Sequence, residues 1–390
     1  MFAGAAIGVS HLVQSTRAGA DFGFGLLWAL LLINIIKYPF FEFGPRYAAA
    51  TGESLLDGYK KLGKGVLITY LILTFATMFT IQTAVTIVTA GIASSLFGFG
   101  SVIFWTVFIT LICFIILILG KYKALDSMMK AIVVLLTIST LTAVVFAIRP
   151  ETTIRFSQVL PTDPLSIAFV IAFMGWMPAP LDISIWHSVW TVEKQKIEPG
   201  ITRKQSRFDF NIGYTTTIII GISFLALGAI VMHDSGEVFS SKGGEFANQL
   251  ISMYTFSLGQ NSKIIIGIAA LTTMFSTTLT TLDSSPRVMH LTTQLLKGTP
   301  IKNGYQFWLV LLALGTLSIF LFFVSEMGIL IKIATILSFL TAPFYAIATF
   351  ALITGKNTPI NARPSKLLKA YSAICICVLV AFSIWFLITL

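Results

Sequence analysis

Charged side chains are scarce in this chain, and their scarcity excludes most classes of soluble protein. Asp, Glu, Lys and Arg make up 11% of the 390 residues, whereas about 25% is usual in soluble domains. Hydrophobic residues account for 56%. A soluble core of this length would not need so much apolar surface. The composition therefore indicates a protein with many membrane-spanning segments.

The sequence also lacks the common motifs of catalysis. It has no P-loop, no His-Glu-x-x-His pair and no serine elbow, so we expect neither an enzyme nor a bound cofactor. The net charge of +10 is spread over short loops, which argues against nucleic acid as a partner. We expect the lipid bilayer as a partner, and we see no sign of an obligatory protein partner.

Eleven apolar runs are each near the length that crosses a bilayer, for which about 20 residues are needed. We number them spans 1 to 11. They cover residues 2–20, 24–49, 66–94, 102–119, 127–148, 165–192, 211–232, 262–290, 305–324, 328–353 and 367–389. The sequence thus predicts an all-α membrane protein with a single transmembrane domain, residues 1–390.

Basic residues in the loops predict the orientation. Loops after even-numbered spans hold sixteen Lys and Arg residues, and loops after odd-numbered spans hold four. Because basic loops stay in the cytoplasm, we expect a protein of the cell (inner) membrane with its N-terminus cytoplasmic and its C-terminus outside. A five-span unit that begins inside is followed by one that begins outside. Residues 1–150 and 151–355 are therefore predicted to be inverted repeats, with 367–389 as an extra helix.

Two spans are interrupted at corresponding places in these repeats. Span 1 is broken around residues 8–11, and span 6 is broken at residues 175–180, which include Pro178 and Pro180. Lipid cannot satisfy unpaired peptide groups, so such a break survives only where it lines a cavity or binds something. Interrupted helices in matching halves are typical of the substrate site of a secondary transporter.

Five residues near the breaks are candidates for binding an ion or substrate. Asp182 could hold a cation at the midplane or cap the exposed amides of the half-helix. His11 could ligate a metal or bond to a neighbouring carbonyl. Met177 offers a thioether that could equally be packing. Ser10 and Gln14 complete the set, and a metal would be held by His11, Met177 and Asp182.

Span 2 and span 8 carry a second group of ionisable residues. Glu42 and Arg46 are four residues apart on one helix face, and Asp283 and Arg287 repeat that spacing. The two pairs could form an inner gate, or they could be static struts near the interface. Lys37 lies deeper in span 2 and needs a partner.

Span 8 also carries a run of hydroxyl side chains. Ser276, Thr277 and Thr280 could hold a sodium ion together with the carbonyl groups at the break of span 1. The alternative is ordinary hydrogen bonding between neighbouring helices by small polar residues.

Three stretches resemble the natural-resistance-associated macrophage protein (Nramp) family of divalent-metal transporters. They are residues 18–28, residues 48–55, and Met177-Pro178 together with the run at 276–281 and Val288-Met289. The resemblance implies a leucine-transporter-type fold, with a 5+5 inverted repeat and broken spans 1 and 6. It also implies transport of divalent cations by alternating access.

The chain departs from that family at the metal site. Aligned from residue 18, the family's Asp-Pro-Gly-Asn falls on residues 8–11, so the usual aspartate is absent, and the histidine after Met-Pro is Ala179. Span 3 lacks the acidic residues of proton-coupled members. We therefore expect a divergent, Nramp-related branch that carries magnesium or manganese, with sodium or proton coupling left open. The alternative is a sodium-coupled symporter of a small organic solute.

Overall fold

The computed structural model describes residues 2–120, 122–148, 155–197, 202–233, 235–236, 238–323 and 326–389, with the backbone alone for 122–133 and 389. Lys121 and Arg149, which entered the count of basic residues, lie outside this set. So does the predicted boundary between the two repeats at residues 150–151. The orientation and the division into repeats stay predictions.

The regular secondary structure of the described residues is helical, and they contain no strand. Nine of the predicted spans are single helical segments in the described chain. Their bounds are Leu27–Thr51 (span 2), Lys64–Phe97 (span 3), Val102–Ile118 (span 4), Tyr122–Ala147 (span 5), Arg203–Val231 (span 7), Lys263–Lys297 (span 8), Gly304–Ser318 with the π-helical continuation Ile319–Phe323 (span 9), Met327–Thr354 (span 10) and Lys366–Thr389 (span 11). Seven of these, spans 2, 3 and 7 to 11, are long and apolar enough to cross a membrane by themselves.

Span 1 and span 6 are each divided into two helices, as the sequence predicted. Span 1 consists of Phe2–Ala6 and Thr16–Phe22, joined by a bend at residues 7–8 and a π-helical turn, Ser10–Ser15. Span 6 consists of Pro164–Trp176 and Ile183–Ile197, and residues 177–182 between them are not helical. The structure confirms the all-α fold with both breaks.

Two shorter helices lie between spans. Leu55–Leu62 follows span 2, and Gly243–Leu258 precedes span 8. The first begins with a capping box, in which Ser54 and Asp57 each use a side chain to bond the other's backbone amide. This reciprocal pairing satisfies two amides that a helix start otherwise leaves free.

Span 7 packs against span 1 by direct backbone contact at two glycines. A Cβ atom added to Gly19 would lie 2.0 Å from the Leu225 carbonyl oxygen, and one added to Gly228 would lie 2.2 Å from the Thr16 carbonyl oxygen. Only glycine allows two helices to approach so closely, as is common between membrane helices. The second half of span 1 is therefore held firmly on span 7.

Close backbone contacts at glycines also position the two halves of span 6. A Cβ atom on Gly175 would lie 2.3 Å from the Thr335 carbonyl oxygen of span 10. A Cβ atom on Gly44 of span 2 would lie 2.3 Å from the Ser184 carbonyl oxygen. The break of span 6 is thus fixed on one side by span 10 and on the other by span 2.

We expect Gly19→Ala to destabilise the protein, because the new methyl group must push spans 1 and 7 apart. Overpacking of this kind costs about 1–3 kcal/mol. Thermal unfolding in detergent measures the effect. Gly4→Ala, where the described chain places no atom within 4 Å of the added carbon, is the control and should unfold like the wild type. Equal melting temperatures for the two variants would contradict the close contact.

Candidate functional site

The two breaks face each other in the middle of the protein. Ser10 Oγ lies 3.3 Å from the Pro178 carbonyl oxygen. One helical turn further along, Ser15 Oγ lies 3.8 Å from Met177 Sδ and 3.2 Å from the Ser10 carbonyl oxygen. Ser10, Ser15, Met177 and Pro178 are all buried. The structure therefore brings Ser10 and Met177, predicted from separate halves of the sequence, to one place.

His11 is fully buried, and both of its ring nitrogens have partners. Nε2 lies 3.1 Å from the Thr217 carbonyl oxygen of span 7, so it must carry the proton. Nδ1 then accepts a hydrogen bond from Ser10 Oγ at 2.8 Å. Neither nitrogen is free to coordinate a metal in this conformation. The ring instead connects the π-helical turn of span 1 to span 7, and Gln14 is buried in the same turn.

Lys37 of span 2 reaches into the break of span 6. Its ammonium nitrogen donates to the carbonyl oxygens of Met174 at 2.9 Å, Gly175 at 2.7 Å, Met177 at 3.0 Å and Ala179 at 3.2 Å. The side chain is 0% exposed. An ammonium has three hydrogens, so the four oxygens share them. The sequence showed that Lys37 needs a partner but did not identify these carbonyl groups.

Asp182 lies at the start of the second half of span 6, beyond these carbonyl groups. It is 5% exposed and interacts electrostatically with Lys37. Among the described residues, its Oδ1 atom has no hydrogen-bond partner. A buried carboxylate oxygen without a donor is costly. Asp182 therefore supplies a negative charge next to the break and has one oxygen still available.

Two tyrosines lie near Asp182. Tyr70 of span 3 and Tyr345 of span 10 both interact electrostatically with it, and their ring centres are 6.1 Å apart. Both phenol hydroxyls interact with the Thr74 hydroxyl of span 3. The sequence analysis missed both residues, because a lone tyrosine in an apolar span carries no signal of a site.

The described residues contain no group of three or more His, Cys, Asp and Glu side chains that could hold a metal ion together. The Met177 thioether and the His11 ring both approach Gly221 of span 7. Coordination of a metal by His11, Met177 and Asp182 stays a prediction. The oxygen-rich part of the site is the set of carbonyl groups around Lys37.

The hydroxyl run of span 8 contacts both span 1 and span 3. Thr277 Oγ1 donates to the Ile7 carbonyl oxygen at 3.0 Å, at the bend of span 1. Thr281 Oγ1 donates to Gln82 Oε1 of span 3 at 2.6 Å. Ser276 Oγ is buried and has no partner in the part of the chain that the structure describes. Thr280 is also buried.

The two acid–base pairs each connect to a different neighbour. Arg46 Nε lies 2.8 Å from a Glu42 carboxylate oxygen, and Arg207 of span 7 lies 3.9 Å from the same group. Asp283 pairs with Arg287 at 2.8 Å and accepts a hydrogen bond from the Tyr305 hydroxyl of span 9 at 2.7 Å. No ion pair between described residues joins span 2 to span 8. This geometry favours the strut interpretation over a gate.

Comparison with known proteins identifies relatives along the whole chain. The family model described as natural resistance-associated macrophage protein-like matches residues 1–389. An uncharacterized protein of Pasteurella multocida (strain Pm70), PM0681, is 35% identical over 367 residues, which cover 90% of this chain and 83% of that protein.

Solved structures share the fold at low sequence identity. A mutant of the Eremococcus coleocola manganese transporter has a TM-score of 0.74 and 12% identity, covering 98% of this chain and 83% of that one. MhsT in complex with L-phenylalanine has a TM-score of 0.59 and 15% identity, covering 98% and 97%. Mhp1, a nucleobase-cation-symport-1 family transporter, has a TM-score of 0.58 and 14% identity, covering 99% and 91%.

We expect His11→Ala to lower the thermal stability by about 1–3 kcal/mol, because it removes a buried hydrogen-bond bridge between spans 1 and 7. The ratio of magnesium to manganese uptake should stay at the wild-type value, since both nitrogens are already engaged. His233→Ala is the matched control for the uptake ratio, because His233 Nδ1 also bonds to a span 1 carbonyl, that of Ala20 at 2.9 Å, but at an exposed position away from the breaks. If the ratio of magnesium to manganese uptake changes in the His11 variant and not in the control, His11 is a metal ligand.

Proposed function

Because the chain belongs to the natural resistance-associated macrophage protein-like family, whose members are membrane transporters and not enzymes, we propose that it carries a divalent metal cation by alternating access. The site would lie at the midplane, where the breaks of span 1 and span 6 meet. We further propose that the protein lies in the cell (inner) membrane with its N-terminus in the cytoplasm.

One observation carries the choice of a cation. Four carbonyl oxygens at the break of span 6 converge on a single positive charge, at 2.7–3.2 Å from Lys37 Nζ. Carbonyl groups that surround an ammonium in this way can also replace part of the hydration shell of a metal ion. The break is therefore built to stabilise a cation, whichever cation occupies it.

The chemistry of these ligands supports a hard ion of the magnesium or manganese class. Oxygen donors prefer Mg²⁺ and Mn²⁺ over softer metals. Magnesium also keeps several waters when it binds and so needs few protein ligands. This suits a site that lacks the family's aspartate in span 1. Met177 Sδ, a soft donor at the break, is in contact with the Ser15 hydroxyl at 3.8 Å.

Alternating access would rock spans 1, 2, 6 and 7 against spans 3, 4, 8 and 9. The glycine contacts support this grouping, because they fasten span 1 to span 7 at Gly19 and span 2 to span 6 at Gly44. Backbones that touch at these places move together. Span 8 contacts span 1 at Thr277 through one hydrogen bond to the Ile7 carbonyl and through side-chain packing on Gly8, and a relative movement can break these side-chain contacts.

A sodium-coupled symporter of a small organic solute is the second candidate. It is favoured by Thr277, whose hydroxyl bonds to the Ile7 carbonyl at the bend of span 1. The neighbouring Ser276 hydroxyl is without a partner in the described structure. Hydroxyl and carbonyl oxygens of this kind could together hold a sodium ion.

We expect proteoliposomes to take up Mg²⁺ or Mn²⁺, and Asp182→Asn to reduce that uptake at least about tenfold. The substitution removes the negative charge beside the cation site, and electrostatic effects of this size are usual for a buried charge. Asp163→Asn is the control, because Asp163 is an exposed helix cap and asparagine caps equally well. If a folded Asp182→Asn variant takes up the metal as fast as the wild type, Asp182 does not bind the cation and only caps the second half of span 6.

We expect uptake of the metal to be unchanged when choline replaces sodium, since the carbonyl groups of span 6 need no second ion. Flux measured with and without sodium gradients, in the wild type and in Thr277→Val, tests this. Sodium-dependent transport that Thr277→Val abolishes would support the symporter and contradict a sodium-independent metal carrier.

A further inference from the structure

Lys37 places a positive charge at the centre of the proposed cation site. The four carbonyl oxygens that would bind the transported ion are all within 3.2 Å of its ammonium nitrogen. Two cations at such a separation repel each other strongly in a low-dielectric interior. The transported ion and the ammonium therefore cannot occupy these carbonyl groups together.

We propose that Lys37 is a tethered cation that leaves the break when the transported ion binds and returns when that ion is released. The proposal rests on the proposed function, because it assigns a task to Lys37 within that transport cycle. In the empty carrier, the ammonium satisfies carbonyl groups that would otherwise be unpaired in an apolar environment. Such unpaired groups are costly, so the tether stabilises the empty carrier while it moves back to reload.

Asp182 offers a second partner for the displaced ammonium. Asp182 is buried next to the break and interacts electrostatically with Lys37. Of the described atoms, none donates a hydrogen bond to Asp182 Oδ1. A lysine has a flexible four-carbon stem and a compact charge, so it can turn from the carbonyl groups to this oxygen. Lys37 thus has one partner in the empty carrier and another in the loaded one.

The consequence for transport is a difference between net uptake and exchange. Net uptake requires the empty carrier to return, and exchange requires only the loaded carrier to move. A neutral side chain at position 37 no longer satisfies the empty break with a charge, so the return step slows. The transported ion meets no competitor, so its apparent Kd falls to the wild-type Kd multiplied by the fraction of time that the wild-type site is free of the ammonium.

The test compares the two modes of flux in proteoliposomes, with Mg²⁺ and Mn²⁺ used separately. We expect Lys37→Gln to lower net uptake into metal-free vesicles about tenfold or more, and to leave exchange with metal-loaded vesicles within about twofold of the wild type. Glutamine keeps N–H donors for the carbonyl groups but removes the charge. Lys37→Met is a second neutral variant, in case glutamine prevents folding. Lys332→Gln, at an exposed lysine within span 10, is the control.

The outcomes are distinct. If a folded neutral variant loses net uptake and exchange to the same extent, or keeps both at the wild-type level, the tether is overturned while the proposed function stands. If the wild type itself shows neither net uptake nor exchange of Mg²⁺ or Mn²⁺, the proposed function fails, and the tether fails with it.

Discussion

The unpaired peptide groups in the middle of span 6 are the constraint on which the rest of the site depends. A broken helix at membrane depth exposes carbonyl groups that lipid cannot satisfy. Here the ammonium of Lys37 bonds to four of them. A charge in a membrane helix is costly by itself, and an unwound helix is costly by itself. Each offsets the cost of the other, so the break and the buried lysine have to be understood together.

The contact between Lys37 and the break of span 6 also determines where the neighbouring helices lie. Lys37 and Gly44 are seven residues apart on span 2 and so lie on one helix face. That face runs along span 6, with the lysine at the break and the glycine against the Ser184 carbonyl of the second half. On the other side, Gly175 brings span 10 equally close. The non-helical segment is thus supported from both sides, which gives it a defined shape.

The fold was largely predictable from the sequence, because apolar length and interrupted helices leave a strong local pattern. The breaks at Gly8 and at Pro178 were located for this reason. The partners of individual side chains were not predictable. Lys37 bonds to residues 137 to 142 positions away, and His11 faces a carbonyl group 206 positions away. Such pairings depend on how helices pack, and neither the charge of a lysine nor the ring of a histidine reveals them.

The π-helical turn Ser10–Ser15 has a mechanical consequence for span 1. A turn of this kind holds one residue more than an α-helical turn. If it re-formed as regular α-helix, the register of everything before it would slip by one residue, which corresponds to a rotation of about 100° and a shift of about 1.5 Å. The bend at residues 7–8 would then shift relative to the rest of span 1 and carry the short segment Phe2–Ala6 with it, without any tilting of the larger bundle.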